Sequence, residues 1–189
     1  MKKGKLIVIS APSGTGKTTI IRQILKSFPE IIFSVSATTR IRREDEVEGK
    51  HYYFISEEEF KKKIENNEFV EWGKFYNYYY GTYKSIVEDL INQGKSIILE
   101  IDVNGALNLK KIYPDAVLVY IVPPSIEELA RRLKNRNTEG KSDLQKRVER
   151  ATMELSLKDE FDYLVENIDL EKALKKTKFL IKNIIKKEI

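Results

Sequence analysis

The sequence contains no cysteine, which excludes disulfides and thiolate metal sites and suits a reducing compartment. Histidine is nearly absent too: His51 is the only one, expected on the surface of a polar, tyrosine-rich region and assigned no catalytic role. No apolar run approaches membrane-spanning length; the longest, "AVLVYIV" (Ala116–Val122), falls far short of about 20 residues. The opening "MKKGKLIVISAPSG" sets basic residues before an apolar run. Leu6–Ile9 is too short for a signal-peptide core, however, and no small-residue cleavage site follows. Repeats and low-complexity tracts are also missing. With no cysteine, signal-peptide core or membrane-spanning run, the chain is expected to be cytoplasmic. The composition is otherwise ordinary for a globular protein: 189 residues, 41% hydrophobic and 33% charged, enough for one good core and a small inserted lobe. A net charge of +5 is compatible with a polyanionic ligand but falls short of a nucleic-acid-binding signature.

Four runs dense in Ile, Leu and Val suit parallel strands buried on both faces: "KLIVIS", "IIFSVS", "SIILEI" and "AVLVYIV". Helical segments alternate with them at Thr18–Lys26, Ile86–Gln93, Asn104–Ile112 and Ser125–Arg136. Ser125 with Glu128 forms a capping box, and Ser142 with Gln145 repeats the signature for the next helix. The last segment places Leu170, Ala173, Leu174, Leu180, Ile181, Ile184 and Ile185 at helical period; its lysines leave a packed terminal helix or a membrane-surface helix open. From Ala37 to Ser85 the alternation breaks. This stretch has one clear helix, Ser56–Asn66, and three pieces, "KHYYFI", "FVEWGKFY" and "YYYGTY", that read as short antiparallel strands of a half-exposed sheet. The expected fold is therefore α/β, with a small lobe at 37–85 inserted into a core formed by 1–36 and 86–189. The irregular "NRNTEGKSD" suggests a flap, a lid at about 135–147.

"APSGTGKTT" follows the first strand and runs into a helix. It is the P-loop pattern with Ala11 in place of the first glycine. Gly14 and Gly16 can take positive φ, which turns successive backbone N–H groups onto a polyphosphate, and the helix N-terminus adds partial positive charge. Lys17 is placed to reach the β- and γ-phosphates and Thr18 to ligate Mg²⁺. Ala11, Pro12, Ser13, Gly14, Thr15, Gly16, Lys17, Thr18 and Thr19 together are expected to form a nucleoside-triphosphate site. "SVSATTRIRRED" then gathers Arg40, Arg42 and Arg43 just after the second strand, at the carboxyl edge where ligands bind such sheets. Guanidinium groups match phosphate oxygens bidentately, so Arg40 and Arg43 suit a second, monoester phosphate, with Arg42 pointing elsewhere.

At these residues the chain resembles the guanylate kinases. The resemblance runs through "APSGTGKTT", "FSVSATTRIRREDEVEGKHYYF", "NNEFVEWGKFYNYYYGT", "ILEIDVNGA", "VPPS", "RLKNRNTEGKSDLQKRVERA" and "VENIDL", in order and with matching spacing over nearly the whole chain. It implies a P-loop NTPase-type parallel core flanked by helices, a nucleoside-monophosphate-binding lobe and a lid. It also implies phosphoryl transfer from MgATP to GMP, Mg²⁺ entering with ATP. By that resemblance Arg40, Arg43, Tyr52 and Tyr80 hold the GMP phosphate, and Ser36, Glu71 and Thr82 read the base. Guanine presents adjacent N1–H and N2–H donors, for which a carboxylate is the natural acceptor, and its O6 accepts from hydroxyls. A site so built leaves buried groups unpaired with adenine. By itself Glu71 also reads as an exposed strand residue, and the tyrosine cluster as cross-strand packing.

Glu100 and Asp102, in "LEID", fall on one face of a strand end. The resemblance gives Asp102 a part in ordering the Mg²⁺ water shell or the acceptor, and Glu100 a part in binding guanosine; capping of the next helix remains open for Asp102. The lid supplies Arg132, Arg136 and Arg147, which the resemblance closes over the triphosphate, while Arg131 and Arg150 read as a solvated basic face. Three departures from the family pattern stand out: Glu100 where aspartate is frequent, Asn137 for a glycine and Ile168 for an aspartate near Asn167. The expected partners are ATP and GMP, with neither nucleic acid nor membrane, for a monomer or weak homo-oligomer.

Overall fold

The computed structural model describes residues 3–75, 77–135 and 141–186. The chain begins with β1 (Leu6–Ser10), α1 (Lys17–Ser27), β2 (Ile32–Phe33), β3 (Ala37–Thr38), β4 (Tyr53–Phe54) and α2 (Glu57–Glu65). It continues through β5 (Phe69–Phe75), β6 (Tyr78–Tyr83), α3 (Lys84–Asn92), β7 (Ile97–Glu100) and α4 (Val103–Ile112). It closes with β8 (Val117–Val122), α5 (Ile126–Asn135), α6 (Lys141–Ser156), β9 (Tyr163–Glu166) and α7 (Leu170–Lys186).

All five residues of β1 are buried, because both faces of the strand are covered. Leu6 and Val8 enter one core with Val87, Leu109, Leu118 and Phe161. Ile7 and Ile9 enter a second, with Ile20, Ile24, Val119 and Ile181. The sheet order is β2-β7-β1-β8-β9, every pairing parallel. α1 buries Ile20, Ile21 and Ile24, and α7 buries Ala173, Thr177, Ile181 and Ile184 at helical spacing. Each such isoleucine contributes about 1.5–3 kcal/mol of burial. The terminal helix is thus packed on the domain, as one of its two readings had it. Among the described residues no helix is long and apolar enough to cross a membrane.

Four core strands were expected, and the sheet has five. β9 is the added one: an edge strand in which only Val165 is fully covered, so its apolar signal is thin. "IIFSVS" contributes only Ile32 and Phe33, because the ladder to β7 ends where the Ser34 N–H donates to the Ile98 carbonyl at 2.9 Å. Ala37 and Thr38 already belong to a second sheet of order β4-β3-β6-β5.

That second sheet is mixed, not antiparallel throughout as expected. β3–β6 and β5–β6 are antiparallel, whereas β3 and β4 run parallel, the long 39–52 connection bringing the chain back in the same direction. Its core is aromatic: Phe60 of α2 stacks on Phe69 and Tyr79 at centroid distances of 4.5 and 5.4 Å. Gly81 permits this, since a Cβ there would lie 2.9 Å from the Phe60 ring. The expected caps form at Ser56, which accepts from the Glu59 N–H, and at Ser125, which accepts from the Glu128 N–H, each at 3.1 Å. α6 is already helical at Lys141, one residue before the serine expected to cap it.

Candidate active site

The P-loop lies between β1 and α1. Gly14 and Gly16 have φ of +89° and +91°, the left-handed conformation their positions were expected to need. Inside the turn, the Thr15 hydroxyl and N–H both donate to the Pro12 carbonyl, at 2.5 and 3.3 Å. From the far end of the chain, the Asn167 side-chain amide donates to the Thr15 carbonyl at 2.6 Å. Asn167 is itself fixed by its backbone N–H on Val122 O at 2.8 Å. α1 has no acidic residue in its first turn, so the positive field of its N-terminus is left uncompensated.

The parallel register sets Glu100 beside Ile9, at the entrance to the loop. There Glu100 Oε1 accepts from the Thr18 hydroxyl at 2.9 Å and lies 3.9 Å from Lys17 Nζ. With its proton committed to Glu100, the Thr18 hydroxyl keeps its lone pairs for a cation.

Across the cleft, β5 and β6 bring Glu71 and Thr82 directly opposite one another. The buried Thr82 hydroxyl donates to Glu71 Oε1 at 2.7 Å, and Ser36 Oγ lies 3.4 Å from Thr82 Oγ1. Burial pushes the Glu71 carboxyl up to about 7; the Thr82 hydrogen bond opposes this and the charge of Asp102 adds to it. Gly105 makes room for this carboxylate: a Cβ there would lie 2.8 Å from Glu71 Oε2. Asp102 caps α4, its Oδ1 accepting from the Gly105 N–H at 2.8 Å, the structural role left open in the sequence. Tyr52 and Tyr80 meet edge to face at 5.9 Å.

One cleft of about 350 Å³ joins the two halves, walled by the whole P-loop, Ser36, Tyr52, Glu71, Tyr80, Glu100, Asp102 and Arg147. Arg40, Arg43, Thr82 and Arg132 are not part of its wall. Arg40 is drawn onto Glu46, Nη2 to Oε1 at 2.6 Å, with its guanidinium 5.6 Å from the Tyr52 ring centroid. Arg43 is exposed, and its backbone N–H donates to the other oxygen of Glu46 at 2.8 Å. Arg42 is exposed too, reaching the Glu46 carbonyl at 3.4 Å. Arg147 Nη2 donates to Ser13 Oγ at 2.7 Å, which puts α6 on the P-loop. Arg132 pairs with Glu128 at 2.8 Å. Arg136 and the rest of 136–140 within the 135–147 lid lie outside the described residues.

Several residues here were not legible as site residues. Asn167 proves to be a brace of the P-loop; the neighbouring Ile168 is 67% exposed and leaves that brace untouched. Arg150, expected on a solvated face, instead reaches Asp102, Glu154 and the Phe75 ring. Helical period predicts an exposed arginine there because Asp102 and Phe75 lie on other elements, and only Glu154 shares its helix.

The guanylate kinase family model matches residues 3–184. A guanylate kinase from Thermotoga maritima is 49% identical over 172 residues, covering 91% of this chain and 83% of that protein. One from Carboxydothermus hydrogenoformans is 47% identical over 174 residues, covering 92% and 85%. The crystal structure of guanylate kinase from Anaplasma phagocytophilum is similar with a TM-score of 0.81 and 31% sequence identity, covering 98% of this chain and 88% of that one. With its P-loop, its buried carboxylate and a family match over nearly its full length, the chain belongs to the guanylate kinase family.

Proposed function

We infer that this enzyme transfers the γ-phosphoryl group of ATP to GMP, giving ADP and GDP, and that dGMP serves as a second acceptor. The observation that carries this reading is one cleft with the P-loop at one end and Ser36 and Glu71 at the other, Thr82 lying behind Glu71 and bonded to it. Glu71 as carboxylate takes the N1–H and N2–H of guanine, the Ser36 hydroxyl serves O6, and Thr82, its proton on Glu71, steers that carboxylate. Adenine would leave these groups unpaired, which discriminates by orders of magnitude.

ATP lies along the residues from Ala11 to Thr19, its β- and γ-phosphates on the loop amides and Lys17. Arg40, Arg43, Tyr52 and Tyr80 take the GMP phosphate, Arg40 exchanging the Glu46 carboxylate for phosphate oxygens of the same geometry. The acceptor is already an anionic oxygen, so no general base is needed. That oxygen bonds to the γ-phosphorus as the bond to the ADP oxygen breaks. Catalysis is alignment and charge neutralisation by Lys17, Arg132, Arg136 and Arg147. Lobe and lid closure exclude water, the competing acceptor.

Among the described residues no group of three or more His, Cys, Asp or Glu could hold a metal ion. The Thr18 hydroxyl, oriented by Glu100, nevertheless fits Mg²⁺, which keeps waters and takes few protein oxygens beside phosphate. Thr18 would ligate it and Asp102 order its water; when bound, the ion neutralises charge on the β- and γ-phosphates. The enzyme works in the cytoplasm, as a monomer or weak homo-oligomer.

The test is ADP release from MgATP with GMP, dGMP, AMP, UMP or dTMP. Turnover confined to the guanine nucleotides is expected. Preference for another base would overturn the assignment of Ser36, Glu71 and Thr82, and GMP binding without turnover would make the chain a binding module.

A further inference from the structure

Arg147 and Arg150 stand three positions apart on α6, hence on one face, yet they reach opposite ends of the cleft. Arg147 donates to Ser13 of the P-loop at 2.7 Å. One turn on, Arg150 Nη2 donates to Asp102 Oδ2 at 3.2 Å and its Nε to Glu154 Oε1 at 2.8 Å. Its guanidinium carbon sits 4.2 Å from the centroid of Phe75, at the end of β5, the strand that carries Glu71. Two carboxylates thus fix the plane of the guanidinium and leave a flat cationic face for one aromatic ring. Arg150 and Phe75 both line the cleft.

We propose that Arg150 is a positioning residue for the acceptor, a clasp that holds the Phe75 end of β5 against α6 and so fixes the guanine pocket relative to the P-loop. The inference rests on the proposed phosphorylation of GMP and adds a residue to it. Asp102 and Glu154 aim the guanidinium, and Phe75 is the part of the lobe it grips. Because Arg147 shares the helix, closure of the lobe is transmitted to the P-loop through one rigid element.

Phe75→Leu and Arg150→Met keep bulk while removing the stack. Each is expected to raise KM for GMP roughly threefold to thirtyfold, the range of a partly desolvated cation–aromatic contact, with kcat changed less than about threefold. The double variant is expected to be no worse than the weaker single one, and Arg150→Lys to recover part of the loss. Additive effects, or an unchanged KM for GMP in an active enzyme, overturn the clasp. Spin labels test it without chemistry, since the chain has no cysteine of its own. Cysteines are placed at Lys62 on α2 and at Met153 on α6, both exposed. A narrow distance distribution in the parent that broadens in Arg150→Met is expected; the same narrow distribution in both overturns the proposal. If the parent does not phosphorylate GMP, the functional reading falls, and the clasp is decided by the label distances alone.

Discussion

The hydroxyl of Thr82 donates to Glu71 Oε1 at 2.7 Å, and this is the hydrogen bond Glu71 keeps in a site where burial raises its carboxyl to about 7. One contact from a neutral donor does not offset the loss of water. The group is poised to be ionised by a ligand that brings donors to it.

That poise has a sign in both stability and activity. The folded state holds the proton more tightly than the unfolded chain, so the ligand-free protein loses stability as pH rises from about 4.5 to about 7. The loss is on the order of 3 kcal/mol, complete above pH 7 and absent below the unfolded value. Glu71→Gln is expected to raise the melting temperature at pH 8 and change it little at pH 5. For GMP, kcat/KM is expected to climb with pH and level off near 7 as the carboxylate forms. The variant should lose that limb and at least about a hundredfold in kcat/KM, while keeping the limb near pH 6 that belongs to the substrate phosphate. A pH profile identical in parent and variant refutes the base-reading role.

Lys17 lies 3.9 Å from Glu100, a partly exposed pair of little structural weight. Lys17→Ala is therefore expected to leave the melting curve in place and to lower kcat by three orders of magnitude or more. Single-turnover kinetics at saturating MgATP and GMP would check this; near-normal turnover removes Lys17 from the mechanism.

Asn167→Ala deletes the donor that braces Thr15 O and leaves a buried carbonyl unpaired, at a cost of about 1–3 kcal/mol. KM for ATP is expected to rise about tenfold and that for GMP much less. Gly16→Ala should be harsher. It places a Cβ 2.9 Å from the same amide at φ of +91°, so both the turn and its brace must shift.

Arg40 is held by Glu46 before any phosphate arrives. Arg40→Ala is expected to raise KM for GMP about a hundredfold and leave that for ATP within a factor of three. Isothermal titration with GMP alone isolates the effect. If Arg40→Ala binds GMP normally, Arg43 and the tyrosines carry the phosphate without it.

The P-loop was legible because its requirements are local: two glycines with positive φ, then Lys-Thr at the head of a helix. The central strands were legible because burial on both faces leaves continuous apolar runs. Residues whose roles depend on distant partners were not. Arg150 meets Asp102 across 48 positions and Asn167 meets Thr15 across 152, and neither pairing leaves a periodic trace. β4 shows the same limit, since two residues fix a strand's existence but not its direction. The proposed base-reading role of Ser36, Glu71 and Thr82 comes from family resemblance. Residue types alone left Glu71 indistinguishable from an exposed strand position.

The brace from Asn167 bears on the order in which the protein is made. The ribosome releases the phosphate loop early, but the strand beside it ends at Glu100 and the amide that pins it comes later still. From Thr19 to Glu100 the growing chain carries a complete nucleotide motif with neither neighbour made, and as far as Asn167 it has only one. A product truncated before Asn167 is therefore expected to bind ATP more weakly than the full chain, because its phosphate loop lacks that brace.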